Sequence, residues 1–355
     1  MKRPSLPWFL LAFAALHTCA SQAQQETGSH GTPAASDSDS EVAAKQTEVD
    51  SYFHESSELT SSAGPQVITR SVRQDSSGRF WFATWGGIVR YDGTKFTNIT
   101  NQAGLRRYRA FSLFEDDQNN VWIGTCGAGV YRYDGNTYTN FTKKDGFVDD
   151  TVLSIMQDRD HNLWFGGLGL TKYDGTTFTS FTKEDGFTNA DVNSISQAPD
   201  GTLWLGTRGA LFRYDGDTFV NFTEEQGLAI DSYIPTLIDR RGHLWFSGQN
   251  GLYHYDGKRV KHLFESTCLS LMEDSHGNIW FTGVVDEGTS PRQGMSLLNR
   301  FDPTAGIENI RTASEQIEVK AGRGIFELFE DKQGGIWFGS GRGVGRIDGN
   351  TVRYF

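Results

Sequence analysis

From Pro65 to Phe355 apolar and polar side chains alternate in short runs, each closed by Gly, Asp or Asn. Alternation of period two over five to seven residues predicts strands with one buried face. No stretch of twelve or more residues in this region carries the 3.6-residue period of a helix. One unit reads TVLSIMQD, a turn through RDHN, then LWFGG, LGLTKYDG, TTFTSFT and KEDGF. That is four strands joined by tight turns. Tryptophan sets the period: Trp81, Trp122, Trp164, Trp204, Trp245, Trp280 and Trp337 stand 41, 42, 40, 41, 35 and 57 residues apart. Four strands repeating about every 40 residues predict a β-propeller. The expected fold is all-β, with seven four-stranded antiparallel blades, each tryptophan stacking between neighbouring blades.

The turns repeat as regularly as the strands. Three residues before each of these tryptophans stand Gly78, Asn119, His161, Gly201, Gly242, Gly277 and Gly334, residue types that tolerate positive φ. They predict a left-handed residue closing the hairpin between the first and second strands. Six residues before stand Asp75, Asp116, Asp158, Asp239, Asp274 and Asp331, with Ala198 the exception, and an Asp there can cap its own turn. Asp-Gly pairs such as Asp92-Gly93 and Asp174-Gly175 predict the hairpin between the third and fourth strands. Two residues after each tryptophan the side chain is small: Ala83, Gly124, Gly166, Gly206, Ser247, Thr282 and Gly339. Small residues suit the crowding near a propeller axis. A basic residue precedes most of the Tyr-Asp pairs and their equivalents (Arg90, Arg132, Lys172, Arg213, Arg300, Arg346), and is expected to pair with nearby acids on the outer strands.

Composition narrows the function classes. Glycine numbers 41 of 355 residues and aromatics make up 13%, which fits short strands and tight turns. Hydrophobic residues are 37%, too few for a multi-span membrane protein. The net charge of -11 and the lack of a basic tract argue against nucleic-acid binding.

The N-terminus reads as an address. Met1-Lys2-Arg3 is a charged start, Trp8 to Leu16 a short apolar core, and Ser21-Gln22-Ala23 a cleavage signal. A cut before Cys19 is the alternative, since Leu16-His17-Thr18-Cys19 resembles a lipobox, although Thr18 departs from its usual small residue. The chain therefore divides into a signal peptide over 1–23, a polar linker over 24–64 and a propeller over 65–355. The linker is expected to be disordered, with a possible extra strand near 51–59 that could join the last blade. The expected location is the periplasm or cell envelope, with membrane contact only through a lipid on Cys19. Cys126 and Cys268 lie in distant repeats and are expected to stay free.

The pattern D-x-x-G-x-[LI]-W-[FI]-G-T, G-[LV]-x-R-Y-D-G-x-x-F and F-T-x-x-D-G-[LF] resembles the two-component regulator propeller repeat. The resemblance implies an extracytoplasmic sensor domain. The sequence reaches Phe355 with no kinase or DNA-binding segment, so any signalling output is expected to belong to another protein, such as a separate sensor kinase, or to be absent.

In a propeller the loops between second and third strands, and those between blades, share one face. Those loops hold Trp85, Arg107, Arg109, Asp150, Asp191, Arg208, Asp231, Tyr233, Gln249, Arg292, Arg323 and Arg342. Aromatics, arginines and carboxylates around one concavity suit a small polar ligand, for instance an oligosaccharide, or an envelope protein partner. No metal, cofactor or catalytic residue is expected: His161, His243 and His276 fall in turns of the opposite face, His254 in a strand, and no H-E-x-x-H motif occurs. Two alternatives remain. One is a metal-dependent lyase or hydrolase of the streptogramin-lyase type, another seven-bladed fold with a similar repeat. The other is an assembly scaffold of the envelope.

Overall fold

The computed structural model describes residues 50–187, 191–230, 234–248, 250–283, 295–322, 324–349 and 351–355. The leader and Cys19 lie outside the described residues. Seven antiparallel sheets form, each running outward in chain order from its first strand. Blade 1 is Thr69–Gln74, Phe80–Thr84, Gly87–Tyr91 and Phe96–Asn98; blade 2 is Ala110–Glu115, Val121–Thr125, Val130–Tyr133 and Tyr138–Phe141. Blade 3 is Val152–Gln157, Leu163–Gly167, Gly169–Tyr173 and Phe178–Phe181; blade 4 is Ser194–Gln197, Leu203–Gly206, Leu211–Tyr214 and Phe219–Asn221. Blade 5 is Thr236–Ile238, Leu244–Gly248, Gly251–Tyr255 and Val260–Phe264; blade 6 is Leu271–Glu273, Ile279–Thr282, Ser296–Phe301 and Glu315–Val319. Blade 7 is Ile325–Glu330, Ile336–Ser340, Gly343–Asp348 and Thr351–Tyr354. Strands are lettered A to D in that order within each blade. Among the described residues no helix is long and apolar enough to cross a membrane.

The turn residues adopt the geometry that the sequence predicts. Gly78, Asn119, His161, Gly201, Gly242, Gly277 and Gly334 all have φ between 63° and 94°. The tryptophans pack as expected, each 0–6% exposed. Trp81 joins a cluster with Leu113, Ile123 and Tyr133 of blade 2, and Trp122 one with Val152 and Phe165 of blade 3. The pattern continues around the ring to Trp337, which lies against Phe80 and Phe82 of blade 1. Small residues after the tryptophan are needed there: a Cβ on Gly206 would lie 1.8 Å from the Ile234 carbonyl oxygen of the next blade.

Blade 7 is one contiguous segment, so no strand is shared across the closing seam. Side chains close the ring instead. Arg73 pairs with Glu327 at 2.7 Å, and Gln66 Nε2 donates to the Phe355 carbonyl at 2.7 Å. Phe355 meets Tyr91 and Phe96 of blade 1, with ring centroids 6.2 and 6.1 Å apart.

Three expectations change. Residues 50–64 are ordered, and the extra strand is Thr60–Ser61, which pairs with strand D of blade 1 rather than lying within 51–59 against blade 7. Its position follows from residues 50–56, which are held over blade 1. Cys126 is disulfide-bonded, whereas Cys268 is free and buried in the cluster around blade 6, so the two are not joined. The basic residues of strand C do not all turn to acids. Arg213 and Arg346 pair with Glu225 and Asp331 as expected. Arg346 sits over Trp337 in the same register while also pairing with Asp331, whereas Arg90 and Arg132 lie over Trp81 and Trp122. The guanidiniums of Arg90 and Arg132 sit 5.8 Å from the ring centroids.

Candidate functional site

The two faces of the ring are built differently. At the A–B turns the same Asp does two jobs. Its Oδ1 accepts from turn amides, as Asp116 does from Gln118 and Asn120 at 3.0 and 2.8 Å. Its Oδ2 accepts the indole N–H of the blade's tryptophan, at 2.7–3.0 Å in six blades. The indole bond was not foreseen from sequence, although the fixed six-residue spacing carries it. Burial alone would push the carboxyls of Asp75, Asp274 and Asp331 up. Hydrogen bonds outweigh it and hold all three below the usual carboxylate range. They come from Ser77 and Trp81 to Asp75, from Trp280 and Asn278 to Asp274, and from Arg346 and Trp337 to Asp331.

The loop face repeats in part: Thr84, Thr125, Thr207 and Ser340, at or just past the end of strand B, each donate to a carbonyl at or just before the start of strand C, but the residues presented beyond them differ from blade to blade. On this face Arg109 is fully buried, just before strand A of blade 2. Its guanidinium lies 4.9 Å from the Tyr52 ring, 5.0 Å from Trp85 and 5.9 Å from Phe111. Asp50, equally buried, accepts from its Nε. Residues 50–56 thus form a strap over blade 1. The Asp50 amide donates to the Arg107 carbonyl at 3.2 Å, the His54 amide to the Trp85 carbonyl at 2.8 Å, and Asn101 Nδ2 to the Ser56 carbonyl. Glu55 pairs with Arg107 at 3.1 Å on the exposed rim. Beside the strap an open cleft of about 430 Å³ is lined by Tyr52, His54, Val67, Ile68, Trp85 and Gly341.

Of the residues predicted from sequence, Trp85, Arg107 and Arg109 come together, and their partners come from a segment expected to be disordered. Asp150 is half-buried and accepts from the Lys143 amide at 2.7 Å, while its carbonyl accepts from Gly127 and Gly129. Asp191 pairs through its backbone with Leu168, which follows strand B of blade 3. Arg208 is half-buried between strands B and C of blade 4, and Arg342 is exposed in blade 7. Asp231, Tyr233, Gln249, Arg292 and Arg323 lie outside the described residues. Arg70, Phe111 and Phe326 were not foreseen. Each is the residue skipped by a register shift in an innermost strand, and Arg70 sits 5.1 Å from Phe111 and 4.5 Å from Phe326. Asp50 and Tyr52 were not foreseen either.

Three stretches of the chain, residues 104–127, 146–169 and 186–209, match the two component regulator propeller family. Each runs from the loop between blades through strand B. The fold is similar to the extracellular domain of BT3049 from B. thetaiotaomicron, assigned as a hybrid two component system, with 18% identity, 82% of this chain and 42% of that one covered, and TM-score 0.65. It is also similar to the extracellular domain of BT4673 from the same organism, assigned as a one component system: 20% identity, 83% and 41% covered, TM-score 0.64. A streptogramin B lyase shares the fold at 12% identity, with 81% and 97% covered and TM-score 0.58. The chain spans less than half the length of the two extracellular domains. A search of curated proteins finds no match.

Proposed function

We propose that this chain, built of two component regulator propeller repeats, is an exported, non-catalytic sensor module that binds a small polar ligand or a partner protein on its loop face. The observation that carries the reading is Arg109: a fully buried cation among three aromatic rings, balanced by a carboxylate from outside the repeats. A buried cation is costly unless paired, so Asp50 keeps this position closed. A ligand offering a carboxylate to Arg109 and a flat face to Trp85 would replace Asp50 and Tyr52, and an acidic oligosaccharide has both features. The displaced strap would report binding to a separate sensor kinase.

The test is a thermal-shift screen of the exported chain, freed of metal, against oligosaccharides, peptidoglycan fragments and amino acids. A ligand at about 100 times its Kd adds about 2.7 kcal/mol to stability. A shift lost in Trp85→Ala supports the loop-face site. A shift unchanged in that variant moves the site elsewhere, and no shift with any class removes the small-ligand reading.

A further inference from the structure

The A–B turn end contains its own control, because three positions recur around the ring: the turn Asp, the residue two before the tryptophan, and the residue paired with that tryptophan on strand C. In blades 1, 2, 3 and 6 the second position donates to the Asp carboxylate, through Arg79, Asn120, Asn162 and Asn278 at 2.8–3.0 Å. In blade 7 that position is Gly335, and Arg346 from the third position donates at 2.7 Å. Blade 5 differs at both. It has His243 before Trp245 and His254 opposite it. The two imidazoles turn toward each other, Nδ1 to Nε2 at 3.1 Å, and with an Asp239 oxygen their ligand atoms lie within 4.8 Å of one another.

We infer that Asp239, His243 and His254 form a binding site for a divalent transition metal of the zinc class. Two nitrogens 3.1 Å apart, each about 2.05 Å from one ion, subtend an angle of about 98° at it, between square and tetrahedral values. Imidazole nitrogens with one carboxylate suit zinc, nickel or copper better than magnesium or calcium. Asp239 is already oriented by the amides of Arg241 and His243 at 3.0 and 2.9 Å and by the Trp245 indole at 3.0 Å. His254 is buried against Trp245, with ring centroids 4.8 Å apart, so its ring is fixed. His243 is half-buried on the turn and supplies the movement of about 1 Å that brings all three donors to bonding distance. Arg241 is the competitor. It donates to Asp239 Oδ2, which also accepts the Trp245 indole, at 3.2 Å, and it is 45% exposed, so it can swing into solvent. Water completes the coordination. The site is at the turn end and is independent of the loop-face reading.

The experiment is calorimetric titration of the tag-free chain with Zn²⁺, with thermal unfolding followed in parallel. One ion per chain is expected, with a rise in melting temperature. His243→Asn with His254→Arg installs residues that other blades carry at these positions, so the fold is expected to persist by circular dichroism. That variant should weaken binding at least about 100-fold, beyond the loss typical of outer-sphere partners. His243→Asn alone, on the half-exposed turn, serves if the double variant misfolds, with a loss of at least about tenfold. Arg241→Ala should tighten binding. No heat and no melting shift in the unsubstituted chain would overturn the inference, as would equal binding by the unsubstituted chain and the His variants.

Discussion

The turn end and the loop end of the same blades carry opposite kinds of information. At the turn end one solution is written in nearly every blade: a left-handed residue, an Asp cap and an indole that donates to it. At the loop end, Arg109 is satisfied by Asp50, a residue 59 positions away and outside any blade. Repetition holds the ring together, and the two binding sites we propose both fall where it is broken. The His pair of blade 5 is the departure at the regular end, and the strap is the departure at the variable one.

Removing a repeated tryptophan or the strap carboxylate should do most damage. Trp122→Ala deletes a side chain that packs on Phe141 at 5.7 Å and Phe165 at 5.4 Å, and should cost about 3–5 kcal/mol in urea unfolding. Asp50→Ala leaves the buried Arg109 guanidinium without its carboxylate and should cost about 3–5 kcal/mol. Its clearer readout is faster proteolysis within residues 50–60. Asp116→Ala leaves the Trp122 indole and two turn amides without their acceptor, and should cost about 2–3 kcal/mol. Ala198→Asp supplies the cap that blade 4 lacks, and should gain about 0.5–1 kcal/mol.

Acid should act at the turn end. Burial raises the carboxyl values of Asp75, Asp239, Asp274 and Asp331, but hydrogen bonds led by Ser77, Trp245, Trp280 and Arg346 respectively bring each below the usual carboxylate range. A folded value below the unfolded one gives stability that is full above the unfolded value and is lost as pH falls through the folded value. Melting temperature should therefore decline below about pH 4, and less steeply in Asp274→Asn.

The propeller was legible because its signals are local and repeated. The left-handed turn shows in Gly78, Asn119 and His161 alike, and the inter-blade packing shows in the tryptophan period. The strap was not legible, because Asp50 and Tyr52 sit in a polar, repeat-free stretch and their partners are distant in sequence. The same holds for Arg70, whose contacts with Phe111 and Phe326 depend on register shifts that leave no sequence mark. The blade 5 cluster was within reach: period two puts His243 and Trp245 on one face, and strand register puts His254 beside them.

We propose that binding belongs to the loop end and displaces the strap. The decisive experiment is hydrogen–deuterium exchange of the chain, with and without the first stabilising organic ligand from the screen. Faster exchange is expected at Tyr52 to Glu55, slower exchange around Trp85 and Arg109, and no change at the A–B turns. Unchanged exchange in the strap, with protection confined to the turn end, would contradict it.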